Sequence, residues 1–449
     1  MTHHDTVTVH KGQACGSVYV PTSKSIAHRS LICAALASSG DTSVISGVPY
    51  NEDIDATLDC LAALGVSFQI KKAPVDNRCR QVSLIGRQGQ WEPKETTLPC
   101  RESGSTLRFM LPLCLLLEQD VRLQGSARLL ERPLSDYHEL LANRPCKKSE
   151  TALEIGQGSV ISNGTFCLSG KISSQFVTGL LFVLPLLAQD SVIEMEQPPE
   201  SRPYIDMTIA IMKRFGIDVH WETDRRIRIP GNQTYTATNM SVDGDASGAA
   251  FFYALQAFGA DVNVCNPPNS EIIQGDSVCT DYLQKMVKNN GELPIISLED
   301  CPDLGPILFA AATLCRGVIF THTARLRMKE SDRIEAMATE LRKFGAVVIT
   351  SDDPYATLDA NATPELSELG NGNACGGWVM VLPSDQNQSL HAPTEQLCGH
   401  NDHRIVMSLA ILCSIVGDGC ITDAHAVRKS FPNFFDCLRE LGIAVDGDL

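Results

Sequence analysis

Apolar positions along the chain fall into two alternating patterns. In the first, a short polar start leads into an almost unbroken apolar run, as in "SKSIAHRSLICAALASSG" from Ser23 and "SGSTLRFMLPLCLLLEQD" from Ser103. The pattern returns as "SSQFVTGLLFVLPLLAQD" from Ser173, "DASGAAFFYALQAFGAD" from Asp245, "DLGPILFAAATLCRG" from Asp303 and "NDHRIVMSLAILCSIVGDG" from Asn401. A surface helix alternates polar and apolar faces along its whole length. These stretches are polar only where they begin, so they predict helices buried on nearly all sides. Each start carries Ser, Asp or Asn where an N-cap is wanted. A β-rich run follows each one.

The second pattern is amphipathic. "DIDATLDCLAALGVSFQI", "PYIDMTIAIMKRFGIDVHW", "ESDRIEAMATELRKFGAVVIT" and "SFPNFFDCLRELGIAV" each predict a half-exposed helix ending in Gly before a new strand. The glycine reads as a C-cap. "RPLSDYHELLAN" and "GDSVCTDYLQKMVKNNGE" are looser members of the same set. Six units of buried helix, exposed helix and short strands divide naturally into two domains of three. Their uneven spacing suits globular packing better than a solenoid.

The ends of buried helices raise a question of charge. Their first four N–H groups lack intrahelical partners, and the helix dipole places partial positive charge there. If the six starts faced one cleft, that cleft would suit an anion.

Composition narrows the possibilities. With 449 residues, 43% hydrophobic and 20% charged, the chain is globular material too long for one core. A net charge of −16 speaks against a nucleic-acid partner, and it makes local cationic clusters necessary for any anionic substrate. The 17 cysteines form no C-x-x-C pair and sit mostly in apolar runs. They read as buried hydrophobes in a reducing cytoplasm rather than disulfides or metal ligands. The opening "MTHHDTVTVHKGQ" is unlike a signal peptide. No apolar stretch reaches the roughly 20 residues that span a bilayer. A soluble cytoplasmic protein without membrane contact is expected.

The helix starts bring Lys24, Ser25, Arg29, Arg108, Ser173, Ser174, Gln175 and Arg404. Other segments add Arg132 in "ERP", Ser201 and Tyr204 in "SRPYID", the "KESDR" run from Lys329 to Arg333, and Lys429 in "RKSFP". Singly these are weak signals, since "ERP" or "SSQ" serves as a cap or solvated corner and "KESDR" as an exposed helical ion pair. In this order, over the whole length, they resemble the enolpyruvyl transferase family, and within it the branch acting on shikimate 3-phosphate. "PTSKSIAHR", "ESGSTLRFM", "SSQF", "VDGDAS", "QGD", "PD", "KESDR", "NDHR" and "KSFPNFFD" carry the likeness.

The resemblance implies an α/β fold of two domains, each three βαβαββ-type units in an inverted α/β barrel. Their implied bounds are 23–240 for one and 1–22 with 241–449 for the other, hinged at the two crossings. It implies transfer of the enolpyruvyl group of phosphoenolpyruvate to the 5-hydroxyl of shikimate 3-phosphate, with release of phosphate and no metal or other cofactor. The phosphoenolpyruvate side would be Lys24, Gly104, Arg132, Gln175, Arg333, Arg404 and Lys429. The shikimate 3-phosphate side would be Lys24, Ser25, Arg29, Ser173, Ser174, Gln175, Ser201, Tyr204, Asp303 and Lys329. Asp303 and Glu330 would be the acid–base pair, assisted by Lys24, with Lys329 and Arg333 keeping Glu330 ionised. A monomer is the family expectation. Read without the family, Gly104 is a turn or C-cap and Asp303 an ordinary N-cap.

Some residues depart from the family's pattern. Arg101 and Glu102 stand where Gly and Asn are frequent, Phe109 replaces a common proline, and Arg325 replaces a common asparagine. A carboxylate at Glu102 beside bound phosphate is unfavourable unless Arg101 or Lys24 pairs with it, whereas Glu52 and Asp53 match the family's acidic pair. Two other readings remain: the sister transfer to UDP-N-acetylglucosamine, and a non-catalytic phosphosugar-binding protein. The first would pair its lysine with Asn, where this chain has Lys24–Ser25, and the second would be expected to lose Asp303, Glu330 or a lysine.

Overall fold

The computed structural model describes residues 6–72, 79–132, 134, 137–141, 144–169, 173–199, 201–268, 272–288, 291, 293–352, 377–383 and 390–447. All six apolar runs are helices: α1 (Lys24–Leu36), α2 (Gly104–Cys114), α3 (Ser174–Val183), α4 (Ala246–Ala257), α5 (Gly305–Thr313) and α6 (His403–Val416). Every residue of α1 from Ile26 to Leu36 is buried, as is all of α5. Ser23, Ser103, Ser173 and Asp402 cap α1, α2, α3 and α6 through their side-chain oxygens.

Two starts differ from the sequence reading. At α6 the cap is Asp402, one residue beyond Asn401. At α5 a 3-10 turn, Pro302–Leu304, comes first, and Leu304 occupies the cap position without a side-chain bond. The donors that a cap at Asp303 would satisfy are those of residues 305 and 306: the Gly305 N–H is bonded to the Pro302 carbonyl, and Pro306 has no N–H. Asp303 is therefore no N-cap, and its carboxylate is used elsewhere.

The four expected glycine stops are present. Gly65, Gly216, Gly345 and Gly442 follow amphipathic helices with φ between +81° and +90°, where a side chain is strained. Gly65 has a second constraint, because a Cβ there would stand 2.1 Å from the carbonyl oxygen of Glu92. Gly65→Ala is expected to cost at least about 2 kcal/mol through strain and displaced backbone. Gly442→Ala, with nothing nearer than 3.9 Å, should cost only the left-handed term. Comparing the two denaturation midpoints separates clash from conformation.

The chain forms two compact units. One comprises Pro21–Asp245 with Asn269–Gln274, the other Met1–Val20, Ala246–Pro268 and Gly275–Leu449. In the first, three four-stranded sheets share one topology. Thr97–Arg101 runs parallel to Val121–Gly125, which is antiparallel to Ala152–Ile155, itself antiparallel to Cys146–Lys148. A parallel pair needs a crossover, and α2 supplies it. Thr165–Leu168 and Ser191–Met195 repeat the arrangement around α3. In the remaining sheet the first place is taken by Met240–Ser241, parallel to Thr42–Pro49. The end of this unit thus completes the sheet near its start.

The other unit repeats the pattern once in full, with Ile295–Ser297 parallel to Val318–Thr321 across α5. Cys15–Val18 pairs in parallel with Asp261–Val264, and Val7–Val9 lies antiparallel between Gly419–Ile421 and Val445–Asp446. Each unit has its own core. Phe109 is fully buried, edge-on to Phe182 with centroids 5.5 Å apart. Its departure from the family's proline is thereby absorbed into packing.

Candidate functional site

In the unit Pro21–Asp245, three helix starts carry the expected polar residues. Lys24 opens α1, and its Nζ lies 2.7 Å from Asp53 Oδ2 in the first turn of the Glu52–Ala63 helix. Arg101 pairs with Asp59 at 2.5 Å. At the start of α2, Gly104 faces guanidinium groups: a Cβ there would stand 2.9 Å from Arg132 Nη1 and 3.0 Å from Arg108 Nη1. Gly104 is neither a turn nor a C-cap. Its missing side chain makes room for charge at a helix N-terminus.

Gln175, in the first turn of α3, completes this group. Its Oε1 accepts from Arg108 Nη1 at 2.9 Å, and its Nε2 donates to Ser105 Oγ at 2.8 Å. Lys24, Gly104, Arg132 and Gln175 were all expected as phosphoenolpyruvate contacts. Arg108, which helps hold Gln175, was visible in the sequence only as a basic residue near a helix start.

Arg29 is 3% exposed. Its Nε donates to Thr208 Oγ1 (2.7 Å), Nη1 to the Ser25 carbonyl (2.8 Å) and Nη2 to the Tyr204 carbonyl (3.2 Å). It thus ties α1 to the Arg202–Arg214 helix, over the Phe109 ring at 5.4 Å. Burial pushes its pKa down to about 10. Among the described residues no carboxylate is ion-paired with it, so its charge is balanced by dipoles alone. Ser201, at the head of the same helix, is buried in the left-handed region at φ +58°. Non-glycine residues held there store strain that the surroundings must enforce. Ser173 is spent as a cap, and Ser174 is buried beside it.

The other unit gathers Asp303, Lys329, Glu330, Arg333 and Arg404. Arg333 is 3% exposed and opens the Arg333–Arg342 helix. Its Nη1 donates to Asp303 Oδ1 at 2.8 Å, while Nε and Nη2 reach Asp402 Oδ2 and Oδ1 at 2.8 and 3.3 Å. Lys329 Nζ lies 3.2 Å from the same Asp303 oxygen. Arg404 Nη1 is 3.5 Å from the carbonyls of Asp303 and Ser247, and its Nε finds no hydrogen-bond partner. Lys429 Nζ donates to the Asn401 carbonyl at 2.9 Å.

Lys329 and Arg333 therefore converge on Asp303, and Arg333 also feels the Glu330 charge. Glu330 Oε2 meets His403 Nδ1 at 2.9 Å. Burial alone would raise the Asp303 carboxyl, but the charges of Lys329, Arg404 and Arg333 outweigh it and hold it well below the usual range. Burial pushes the Lys329 ammonium down to about 8, against the pull of Asp303. Arg325 adds to that downward push, which gives the departure at this position an electrostatic consequence.

Sequence reasoning missed Asp402 and His403. Asp402 is fully buried, caps α6 through the Arg404 N–H and braces Arg333. Its signals were an acidic residue at a helix start and its place in the "NDHR" motif. Glu330, Asp402 and His403 bring one ligand atom each within 4.8 Å of one another. The Asp402 oxygens already accept from Arg333, Ser331 and the Arg404 backbone, so a guanidinium sits where a cation would need the charge. The trio is a poor metal site.

The family model described as EPSP synthase (3-phosphoshikimate 1-carboxyvinyltransferase) matches residues 10–438. The chain belongs to the EPSP synthase family. A 3-phosphoshikimate 1-carboxyvinyltransferase of Clostridium perfringens is 34% identical over 96% of this chain and 97% of its own length. One from Clostridium botulinum is 35% identical over 97% of each. EPSP synthase from Acinetobacter baumannii superposes with a TM-score of 0.74 at 22% identity, over 99% of this chain and all of its own. The enolpyruvyl transferase NikO from Streptomyces tendae gives 0.71 at 14%, over 99% of each. These two establish the shared α/β fold. Among the described residues no helix is long and apolar enough to cross a membrane.

Proposed function

We propose that the protein transfers the enolpyruvyl group of phosphoenolpyruvate to the 5-hydroxyl of shikimate 3-phosphate, by addition and then elimination of phosphate. The observation that carries the reading is the Asp303 cluster. A carboxylate ringed by Lys329, Arg333 and Arg404 lies in the same cluster as Glu330, which His403 holds. Both substrates are multiply anionic, and guanidinium and ammonium groups suit their phosphates and carboxylates. In the unit Pro21–Asp245, Lys24, Ser25, Arg29, Gly104, Arg132, Ser173, Ser174, Gln175, Ser201 and Tyr204 offer binding chemistry of the same kind. No step of the reaction calls for a metal or redox cofactor.

In this reading Asp303 takes the hydroxyl proton and Glu330 delivers one to the methylene carbon. Held far below the usual range, Asp303 is a weak base in the free protein. A phosphate that draws Lys329 toward itself relieves that hold, so the base strengthens when substrate arrives. Lys24 pairs with Asp53 and can exchange it for the phosphoenolpyruvate anion. A reducing cytoplasm and a monomeric state belong to the same proposal.

A phosphate-release assay tests it. Release should require shikimate 3-phosphate together with phosphoenolpyruvate. Release with UDP-N-acetylglucosamine in its place, or with neither, would replace the reading. The Lys329 ammonium gives a further expectation. It binds an anion only while protonated, so the KM for shikimate 3-phosphate should rise as pH passes about 8. Lys329→Arg should remove that alkaline limb, because a guanidinium stays charged. A limb unchanged in the variant would assign it to another group.

A further inference from the structure

Asp402, His403 and Arg404 enter the site from a turn whose backbone is strained. His400 and Asn401 are consecutive non-glycine residues in the left-handed region, at φ +51° and +50°. Gly399 lies against the next strand, where a Cβ would overlap the Thr422 carbonyl oxygen. The Asp402 N–H donates back to the Gly399 carbonyl at 3.0 Å and closes the turn. Residues held in the left-handed region persist only where their surroundings enforce them. The surroundings here include a carboxylate that the proposed chemistry does not use.

That carboxylate is Glu340, 1% exposed, in the Arg333–Arg342 helix. Its Oε1 lies 3.2 Å from His400 Nε2, and its Oε2 accepts from the Cys398 N–H and Lys343 Nζ, both at 2.9 Å. Burial alone would raise the Glu340 carboxyl, but His400, Lys343 and the Cys398 N–H together hold it below its ordinary value. An ionised carboxylate only accepts, so Nε2 is a protonated nitrogen of His400 and donates to it.

One helix therefore grips the turn at two points. Arg333, its first residue, holds Asp402. Glu340, about two turns further along the same face, holds Cys398 and His400. Because a helix fixes the rise between its residues, the spacing of the two grips is fixed at about 10 Å along the axis. Between them Asn401 offers its carbonyl to Lys429. Arg333, Arg404 and Lys429, the phosphoenolpyruvate contacts proposed in this unit, are thus all bonded to this segment or carried by it. Lys329, on the shikimate 3-phosphate side, is placed through Asp303.

We infer that Glu340, acting through His400 and the Cys398 N–H, is a positioning residue that holds the turn delivering Asp402, His403 and Arg404. Its effect on substrates rests on the function proposed above; its hold on the turn does not.

The test uses the full chain and three variants, with amide hydrogen exchange as a readout that needs no activity. His400→Gly removes the grip and at the same time relieves the left-handed strain, so the fold should survive. The amides from Gly399 to Arg404 should exchange at least about tenfold faster in it, because the local opening that exposes them becomes easier. The KM for phosphoenolpyruvate should rise at least about tenfold, while binding of shikimate 3-phosphate stays within about threefold. Glu340→Gln should act in the same direction, since one amide oxygen cannot serve three donors. His400→Gln keeps an N–H near the place of Nε2 and should restore exchange and KM to within about threefold of the parent. Parental exchange in both His400→Gly and Glu340→Gln would overturn the hold on the turn. Faster exchange with a parental KM, or an equal loss of both substrates, would remove the positioning role. His400→Gln behaving like His400→Gly would show that the bond to Glu340 is not the cause. If the exchange pattern is as expected but the parent transfers no enolpyruvyl group, only the proposed function falls.

Discussion

Asp303→Asn and Glu330→Gln should each lower kcat by at least about 10²-fold, with binding of shikimate 3-phosphate kept within about tenfold. The two variants should fail for different reasons. Asp303→Asn removes a carboxylate that meets both Lys329 and Arg333, so it abolishes the base and leaves those cations less balanced. Its binding of shikimate 3-phosphate should tighten slightly, because substrate no longer competes with Asp303 for Lys329. In the same variant the Lys329 pKa should fall below about 8, since Asp303 is what raises it against burial, and the alkaline rise in KM should begin at lower pH. Glu330→Gln keeps a hydrogen-bond acceptor for His403 but has no proton of carboxyl acidity to give. It should lower kcat without moving that limb. Near-parental turnover in either variant would remove that residue from the acid–base pair. A common shift of the limb in both would show that the two carboxylates act as one coupled group.

What could be read in the sequence was what depends on neighbours along the chain. Apolar runs too long for an amphipathic face had to be buried helices, and they are. A Gly after a polar last turn had to stop a helix, and Gly65, Gly216, Gly345 and Gly442 all take the left-handed conformation this needs. The grouping of Gly104, Arg132 and Gln175 came through order of motifs and resemblance, not through any local rule. Pairing across long separations stayed hidden. Arg333 and Asp402 are 69 residues apart, and nothing near either one says that they meet. Asp303 looked like a cap because Asp before an apolar run usually is one. Pro306 removed one donor it would have capped and the Pro302 carbonyl took the other, from Gly305, so its carboxylate was available to Lys329 and Arg333. Sequence adjacency pointed these cations at Glu330, and it gave no sign that both also reach Asp303.

The largest loss of stability should come from Arg333→Met. Arg333 stands between two carboxylates, Asp303 and the fully buried Asp402, and its guanidinium spans both as a lysine could not. Burial works against ionisation at both ends of the Arg333–Asp402 pair, yet each partner's charge holds the other ionised, raising the arginine and lowering the aspartate. Breaking such a pair by removing one partner costs about 3–5 kcal/mol, since it leaves a charge in the interior. For a unit of this size that corresponds to a fall in melting temperature of roughly 6–20 °C. Arg333→Met combined with Asp402→Asn should recover part of the loss, because Asn still caps α6 while the stranded charge is gone. Arg333→Lys should fall between, and should favour one carboxylate over the other. Activity should separate the two roles of the residue. The double variant regains stability but not turnover, because Asp303 remains without its partner and Arg333 is no longer there to meet phosphoenolpyruvate. If Arg333→Met melts within about 2 °C of the parent, the buried pair is not what holds this site together. Recovery of turnover with stability in the double variant would make Arg333 a structural residue alone.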